Sequence, residues 1–308
     1  MQPRPATFSI VARDPDQEAV GIAVQSKFVS VGSVVPVAAA DAGAIATQSF
    51  ANVAYGPKGL DLLRDGYEAS TVVERLIQAD EEAPSRQLGI VSEDGSVAAF
   101  TGEECFEHAS DRQGENYTVQ GNILEGRETI DAMAETFEET AGGLPERLLA
   151  ALHAGNDAGG DKRGEQSAAM YVAKPDGGYD GKNDRWIDVR VDDHEHPIDE
   201  LERVFRIYDV TLLERETPDS TAELQGDTAE AVLETLASLA LYDGTPTGTV
   251  GESEREALEA FRGMNNFENH SLEVIEDALA RGWDEAEGEG EEKLVNAIWH
   301  GLSRLERR

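Results

Sequence analysis

Short polar motifs follow several strand-like segments, and their side chains are of the kinds that catalysis uses. Gln120-Gly121-Asn122 ends one such segment. Glycine permits a tight backbone there, and neighbouring N–H groups or the Asn122 amide can stabilise an oxyanion. A plain β-turn, in which these residues have no chemical role, is the alternative.

A glycine-rich loop carries a second group of candidates. Gly159-Gly160 precede Asp161, and Arg163 follows before the strand-like run that begins at Ser167. A guanidinium can bind a substrate carboxylate through two parallel hydrogen bonds. The other interpretation is a local ion pair between Asp161 and Arg163.

Amides and hydroxyls also lie near the start of the chain. Gln48 and Asn52 belong to the segment TQSFAN, and their amides can orient a substrate or a water. Asn52 can equally cap the helix that we expect to follow. Ser26 and Lys27 end the second predicted strand, and Lys27 is either a site cation or an ordinary surface lysine.

Metal and disulfide chemistry have little support. Cys105 is the single cysteine, which excludes an intrachain disulfide and multi-cysteine zinc sites, and we interpret it as a packed residue near a strand end. His194 and His196 alternate along an extended segment, but zinc usually takes three protein ligands that are well separated in sequence. We therefore expect no metal and no other cofactor.

The charge balance excludes one class of partner. Asp and Glu number 62 against 26 Lys and Arg, a net charge of −36, so non-specific nucleic-acid binding is excluded. Dispersed acids and scarce lysine indicate a halophilic protein, because salt screens the self-repulsion. No apolar run reaches about 18 residues, and the start MQPRPATFSI lacks a signal-peptide core. We expect a cytoplasmic protein without membrane segments.

The candidate residues must be held by short strands and amphipathic helices. Segregated runs of strands and helices indicate an α+β fold rather than alternating βαβ units. A chain of 308 residues suggests about two domains. Strands are predicted at 7–13, 20–25, 29–37, 43–48, 87–92, 97–101, 118–120, 167–173 and 186–191, and helices at 56–65, 68–79, 127–140, 144–153 and 197–212.

Several motifs, in order, carry a family resemblance. They are TFSIVARDP, AVQSKFVSVGSVVP, GAIATQSFANVAYGPKGLDLL, QLGIVSEDGSVAAFTGEEC, VQGNIL, GGDKRGEQSAA and KNDRWIDVRVDDHEHPIDEL. This set resembles domain-of-unknown-function family 1028, of the N-terminal-nucleophile (Ntn) hydrolase superfamily. The resemblance implies an Ntn-hydrolase-like four-layer αββα sandwich over residues 7–214, after an N-terminal extension of residues 1–6.

The resemblance also implies a role for Thr7. In Ntn hydrolases the side chain of an N-terminal Thr attacks a carbonyl, and its own α-amine, with a pKa near about 8, accepts the proton. Lys27 would then stabilise developing charge, and Asp161 would hold the α-ammonium or Lys27. Six residues precede Thr7, so the amine requires cleavage between Ala6 and Thr7 or a start codon further downstream. Otherwise Thr7 is simply the first residue of a strand.

The implied activity is hydrolysis of a small-molecule amide, with Ser26, Gln48, Asn52, Gln120, Gly121 and Arg163 binding the substrate. The alternative is a non-catalytic Ntn-fold binding or assembly protein. We expect a homodimer in either case.

The remaining chain is predicted to be a separate helical domain. Residues 215–226 are polar and form the expected linker, and residues 227–308 form a small all-α domain, with helices at 227–242, 253–264, 271–281 and 293–305. The stretch LETLASLALYDGTPTGTVGESEREALEAFRGMNNFE resembles peptidoglycan-binding-like modules. A bundle used for packing or dimerisation has the same pattern.

Overall fold

The computed structural model describes residues 7–106 and 108–307, in which antiparallel strands alternate with groups of helices. The strands are β1 Thr7–Asp14, β2 Ala19–Ser26, β3 Pro36–Ala39, β4 Gly43–Ser49, β5 Arg86–Ser92, β6 Val97–Thr101, β7 Ser110–Gly114, β8 Tyr117–Asn122, β9 Ser167–Ala173 and β10 Arg185–Val191. The helices are α1 Tyr55–Arg64, α2 Ala69–Gln78, α3 Glu128–Glu139, α4 Leu144–Asp157, α5 Pro197–Leu212, α6 Gly226–Ser238, α7 Glu252–Met264, α8 Leu272–Gly282 and α9 Gly290–Leu302.

Two antiparallel sheets form from these strands. The described part of the larger sheet has the order β10-β9-β2-β1-β8-β7, and that of the smaller sheet has the order β3-β4-β5-β6. In the larger sheet the β1 residue Thr7 lies opposite Ser26 of β2 on one side and Asn122 of β8 on the other. Because β1 is central, its first residue is enclosed by two neighbouring strand ends.

The pleat of β4 shows how the smaller sheet divides its contacts. Ala44 and Ala46 pack in a cluster that also holds Val11 and Val24 of the larger sheet, so this cluster lies between the two sheets. Ile45 points the other way, as alternation along a strand requires, and packs with side chains of α1 and α2. Gly59 of α1 permits this close approach, since a Cβ there would lie 2.4 Å from Ile45 Cδ1.

The helix pair α3 and α4 covers the other face of the larger sheet. Phe8, which neighbours Thr7 and points to the opposite face, meets α4 at Gly155. A Cβ at Gly155 would lie 2.6 Å from Met133 Cγ and 3.3 Å from Phe8. The glycine therefore lets the helix pack closely behind the strand that begins at Thr7.

The sequence expectation fails at two places in the sheets. The prediction of one strand over 29–37 is wrong, because Ser30 takes a left-handed φ of 56° and a 3₁₀ turn follows at Val31–Ser33. The hydroxyl of Ser167 accepts the Val31 N–H and holds this turn. Strand β7 was not expected, because SDRQG lacks β-branched and apolar residues. It forms by pairing with the edge of β8.

By its contacts the chain divides into two units, the first ending at Glu202 and the second beginning at Arg203. The second unit is helical, and its core includes Phe261 and Phe267, whose ring centroids lie 5.7 Å apart. A mixed α/β chain with antiparallel sheets and a C-terminal helical region is thus confirmed. The domain limits 7–214, 215–226 and 227–308 stay a prediction.

The second unit buries a group of charges, which we call the ion cluster: Asp209, Arg215 and Arg307. The Asp209 side chain is fully buried and pairs with Arg215 and, at 3.1 Å, with Arg307. His270 lies nearby, and its Nε2–H donates to the Val210 carbonyl at 3.0 Å. Burial, opposed by this hydrogen bond, lowers the pKa of His270 to about 4.

No helix within residues 7–106 and 108–307 has the length and apolar character needed to cross a bilayer.

Candidate functional site

Thr7 is the first residue of the central strand β1, where it is only 2% exposed. Its Oγ1 is 3.0 Å from Ser26 Oγ, and either hydroxyl can donate. Ser26, the last residue of β2, is fully buried. The structure thus brings two hydroxyls into direct contact beside the backbone of Asn122.

A cavity of about 460 Å³ opens beside Thr7. The segment after β2 and the end of β4 supply most of its walls. The lining residues are Thr7, Phe28, Val31, Val34, Val35, Gln48, Ser49, Phe50, Ala51 and Arg86. Thr7 and Gln48 are the predicted site residues among them. The volume lies in the range of about 300–1,000 Å³ that small-molecule sites occupy.

The two sheets meet near Thr7 through buried polar side chains, which we call the amide network: Ser9, Gln48, Gln87, Gln120 and Asn122. All five are at most 1% exposed. The Ser9 hydroxyl donates to Gln48 Oε1 at 2.7 Å, and Gln120 Nε2 donates to Ser9 Oγ at 2.6 Å. The network links strands of both sheets, so it fixes Gln48 on the smaller sheet relative to the strand of Thr7.

Gln87 is the hub of the amide network. Its Nε2 lies 2.9 Å from the Gly121 carbonyl oxygen and 3.2 Å from the Ser110 carbonyl oxygen. Because carbonyls only accept, the Gln87 amide must turn its nitrogen toward them. Its Oε1 then accepts from Gln48 Nε2 at 2.9 Å and from Asn122 Nδ2 at 3.0 Å.

This directionality settles how Asn122 is turned. Asn122 gives its nitrogen to Gln87, so its Oδ1 faces away from Gln87. That oxygen is buried and has no hydrogen-bond partner among the described residues. Paired positions on adjacent strands have Cβ atoms about 5 Å apart, and Asn122 is the partner of Thr7 in the β1–β8 ladder. A buried acceptor therefore lies unpaired next to the start of β1.

Gln120 reaches across to the smaller sheet at a place where β5 has no side chain. A Cβ at Gly89 would lie 2.1 Å from Gln120 Oε1. Gln120 is therefore enclosed in the network and does not line the Thr7 cavity. Gly121 lies inside β8, between β1 and β7, and its carbonyl accepts from Gln87.

Asp161 is held against the end of β2. Its side chain is fully buried, and its Oδ2 accepts the main-chain N–H of Lys27 at 2.8 Å. Arg163 pairs with the same carboxylate at 3.1 Å, as the local ion-pair interpretation predicts. The Lys27 ammonium donates to the Glu165 carbonyl at 2.7 Å, and the residue is exposed. Asp161 therefore positions the backbone that follows Ser26.

Asn52 lies outside the Thr7 cavity and organises the loop after β4. Its Oδ1 accepts the Ala54 N–H at 3.2 Å, and its Nδ2 donates to Asp80 at 2.8 Å. Asp80 also pairs with Arg86 at 3.0 Å, and this guanidinium, followed by Asn52, holds the pKa of the Asp80 carboxyl well below its usual range. Asn52 therefore holds the turn before α1, whose N-cap residue is Ala54 and which has no side-chain cap.

Three chain segments leave the site with left-handed backbone. Ser30, Ser49 and Ile123 have φ values of 56°, 65° and 52°. A β-branched residue with positive φ is a rare outlier, and such conformations cost about 1–3 kcal/mol each and cluster at functional sites. Ile123 directly follows Asn122, so the strain lies beside Thr7's strand partner.

Sequence reasoning missed two members of the amide network, Ser9 and Gln87. Both are polar residues inside or at the start of otherwise apolar strands, TFSIVARD and RQLGIVS. Alternation places Ser9 on the same face as Thr7 and Val11. A polar residue at a core-facing position is the signal that indicates a buried network.

Cys105, His194 and His196 do not line the Thr7 cavity. The Cys105 thiol contacts the Arg86 carbonyl at 3.3 Å, and burial raises its pKa. His194 Nδ1 accepts the N–H of His196 at 3.0 Å.

These features define a class of α/β protein. A buried Thr-Ser pair lies beside a cavity and beside polar contacts between two antiparallel sheets, and a helical unit follows in the sequence. Residues 7–201 match the model of the "Family of unknown function (DUF1028)", and the chain belongs to this family. Residues 211–299 match the model described as "Putative peptidoglycan binding domain". The resemblances to family 1028 and to peptidoglycan-binding-like modules are thus confirmed, and membership of the Ntn-hydrolase superfamily stays a prediction.

A solved structure agrees with this membership. The chain is 31% identical to a DUF1028 protein from Silicibacter pomeroyi, whose crystal structure aligns with a TM-score of 0.61 over 70% of this chain and 88% of that chain. No curated protein matches the chain.

Proposed function

We propose that the first unit is an Ntn-type amidohydrolase that cleaves a small-molecule amide, with Thr7 as nucleophile once its amine is exposed. One observation carries the proposal: Thr7 starts a central strand, contacts Ser26 Oγ at 3.0 Å and lines a cavity of about 460 Å³. Helices that pack on the outer faces of both sheets favour the four-layer αββα interpretation.

The proposed reaction uses Thr7 twice. Its neutral α-amine takes the Oγ1 proton as Oγ1 attacks the amide carbonyl carbon. Collapse of the tetrahedral intermediate breaks the C–N bond, and the proton passes to the leaving amine. Water then hydrolyses the Thr7 ester, releasing the acid and restoring the hydroxyl.

Neighbouring residues receive roles that fit their contacts. Asn122 Oδ1 is the acceptor for the Thr7 ammonium, since it is buried and unpaired among the described residues. The second hydrogen on Asn122 Nδ2 is the proposed donor to the oxyanion. Ser26 orients Thr7 Oγ1, while Asp161 and Lys27 fix the end of β2.

The substrate-binding roles divide in the same way. Gln48 lines the cavity and contacts substrate. The other predicted substrate-binding residues support the site indirectly. Gln120 and Gly121 do so by their hydrogen bonds in the amide network, Asn52 by holding the loop after β4, and Arg163 by its ion pair with Asp161.

The alternative is a non-catalytic binding or assembly protein of the same fold. The peptide bond between Ala6 and Thr7 favours it, because in that state Thr7 has no amine base. We also propose a halophilic protein, from the net charge of −36. A cytoplasmic location and a homodimer stay proposals that rest on the N-terminal sequence and on the architecture.

Mass spectrometry of the native protein separates the two functions. The hydrolase proposal expects active protein to begin at Thr7, covalent labelling of Thr7 by an electrophilic β-lactone, and loss of both labelling and turnover in Thr7→Ala. Thr7→Ser keeps a hydroxyl nucleophile and should retain partial activity. Fully active protein that begins at Met1 or Gln2 would overturn the hydrolase proposal.

A further inference from the structure

The walls of the Thr7 cavity are mainly apolar. Six of its ten described lining residues are Phe, Val or Ala, and the others are Thr7, Gln48, Ser49 and Arg86. The apolar residues are Phe28, Val31, Val34, Val35, Phe50 and Ala51. The cavity beside the hydroxyl pair therefore favours a hydrophobic group that is bound next to a few polar atoms.

The described side chains that line the cavity carry no uncompensated charge. Arg86 is the charged member, and its guanidinium pairs with Asp80 at 3.0 Å and Glu82 at 2.6 Å and donates to the Phe50 carbonyl at 2.5 Å. Its side chain is only 11% exposed. A charged substrate group placed here would lose water without gaining a counterion.

Two aromatic side chains at the cavity remain partly open. Phe28 and Phe50 are each 37% exposed, although large aromatic side chains are usually well buried. A ligand that fills the cavity covers part of these rings. Burial of apolar surface is then the main source of binding free energy.

We infer that this cavity takes the acyl part of the substrate and selects an uncharged aliphatic or aromatic acyl group. The inference rests on the proposed hydrolase function for its reaction, but the binding preference stands on the cavity walls alone. The carbonyl lies at Thr7, the apolar chain contacts the segment of Val31, Val34 and Val35, and the leaving amine stays outside this wall.

A set of 4-nitroanilides that differ only in the acyl group, assayed with protein that begins at Thr7, tests the preference. Hexanoyl and phenylacetyl anilides should be cleaved with kcat/KM roughly 30-fold above the acetyl compound, because each buried methylene contributes binding. The succinyl anilide, which carries a carboxylate, should be at least about 100-fold slower than hexanoyl, because that charge has no partner.

A pair of variants assigns the preference to the cavity. Val34→Lys places a cation in the wall and should lower hexanoyl turnover by about 30-fold while raising succinyl turnover. Val29→Lys adds the same charge to the same segment, but Val29 is 51% exposed and does not line the cavity. It should leave the hexanoyl-to-succinyl ratio within about twofold of the parent value.

Calorimetry with hexanamide, compared with succinamate, separates failure of the preference from failure of the hydrolase function. Cleavage with succinyl fastest overturns the acyl preference and leaves the hydrolase proposal intact. No cleavage of any anilide, but hexanamide binding that Val34→Lys abolishes and Val29→Lys keeps, upholds the cavity inference and removes the hydrolase proposal. The absence of both anilide cleavage and hexanamide binding would overturn the inference.

Discussion

The two units bury polar groups in different ways. The first buries the neutral amide network, whose hub Gln87 accepts from Gln48 and Asn122, besides the ion pair of Asp161 with Arg163. The second buries formal charges, with Asp209 paired to Arg215 and Arg307. Burying a neutral amide costs less desolvation free energy than burying an ion, and its hydrogen bonds are directional. A buried ion needs its partners to offset the cost of desolvation. The difference predicts which unit responds to charge removal and to pH, and four measurements test it.

Removing Arg215 should have the largest effect. Arg215→Met takes one of two guanidinium partners from the buried Asp209 and should destabilise the second unit by about 4 kcal/mol. Hydrogen exchange measured peptide by peptide under increasing denaturant gives the stability of each unit in the full chain. Arg255→Met is the control, because Arg255 pairs with Glu276 at an exposed site, and it should change little. Equal effects of the two variants would contradict the charged-burial account.

Acid should weaken the second unit through His270. Its pKa is about 4 in the folded protein, whereas an ordinary histidine has a pKa of 6.5, so the unfolded state binds the proton more tightly. Stability is complete above about pH 6.5 and falls by at most about 3 kcal/mol as the pH drops to 4.

His270→Gln keeps a side-chain N–H for the Val210 carbonyl and should flatten this part of the pH dependence. Peptides of the amide network should show no matching loss over the same interval. A wild-type profile that His270→Gln leaves unchanged would assign the acid sensitivity to other groups.

Gln87→Leu should break the amide network. It removes the acceptor of Gln48 Nε2 and Asn122 Nδ2 and the side-chain donor to the Gly121 carbonyl, and should cost roughly 2–3 kcal/mol in the first unit. Gln113→Leu makes the same substitution at an exposed position of β7 and should change stability by less than about 0.5 kcal/mol. The same exchange measurement decides, and a Gln87→Leu protein as stable as its control refutes the hub role.

Asn122→Asp should have the smallest but most specific effect. A carboxylate beside the Thr7 amine favours the ammonium, so the acidic limb of kcat/KM should move up by about one pH unit, with a lower kcat. Asn122→Ala removes the acceptor without adding charge and should not move that limb upward. An unshifted limb in Asn122→Asp would place Asn122 away from the amine.

Much of the architecture followed from local patterns. Strand β9 and helix α5 have the predicted bounds, because SAAMYVA is continuously apolar and PIDELERVFRIYDVTL has helical periodicity after an initial proline. The failures came where contacts distant in sequence decide the local structure. The Ser167 hydroxyl holds a turn in place of a strand near Val31.

The site followed the same division. Thr7, Ser26 and Asn122 were all candidate residues in the sequence, and they lie together because the ends of adjacent strands meet there. The turn of the Asn122 amide depends on Gln87, which lies on the other sheet, and no local pattern contains that pairing. The sequence likewise leaves open whether Asn52 lines a site or caps a loop, since both uses need an amide.

The missing side chain at Gly89 has a mechanical consequence. Gln120 of the larger sheet fills the space over this glycine. Sliding one sheet by two residues, about 6.6 Å, would keep the same face inward but bring Gln87 or Val91 under Gln120, where a side chain has no room. The contact between Gln120 and Gly89 therefore fixes the position of one sheet along the other. Thr7 on the larger sheet then keeps a fixed offset from Gln48 on the smaller sheet.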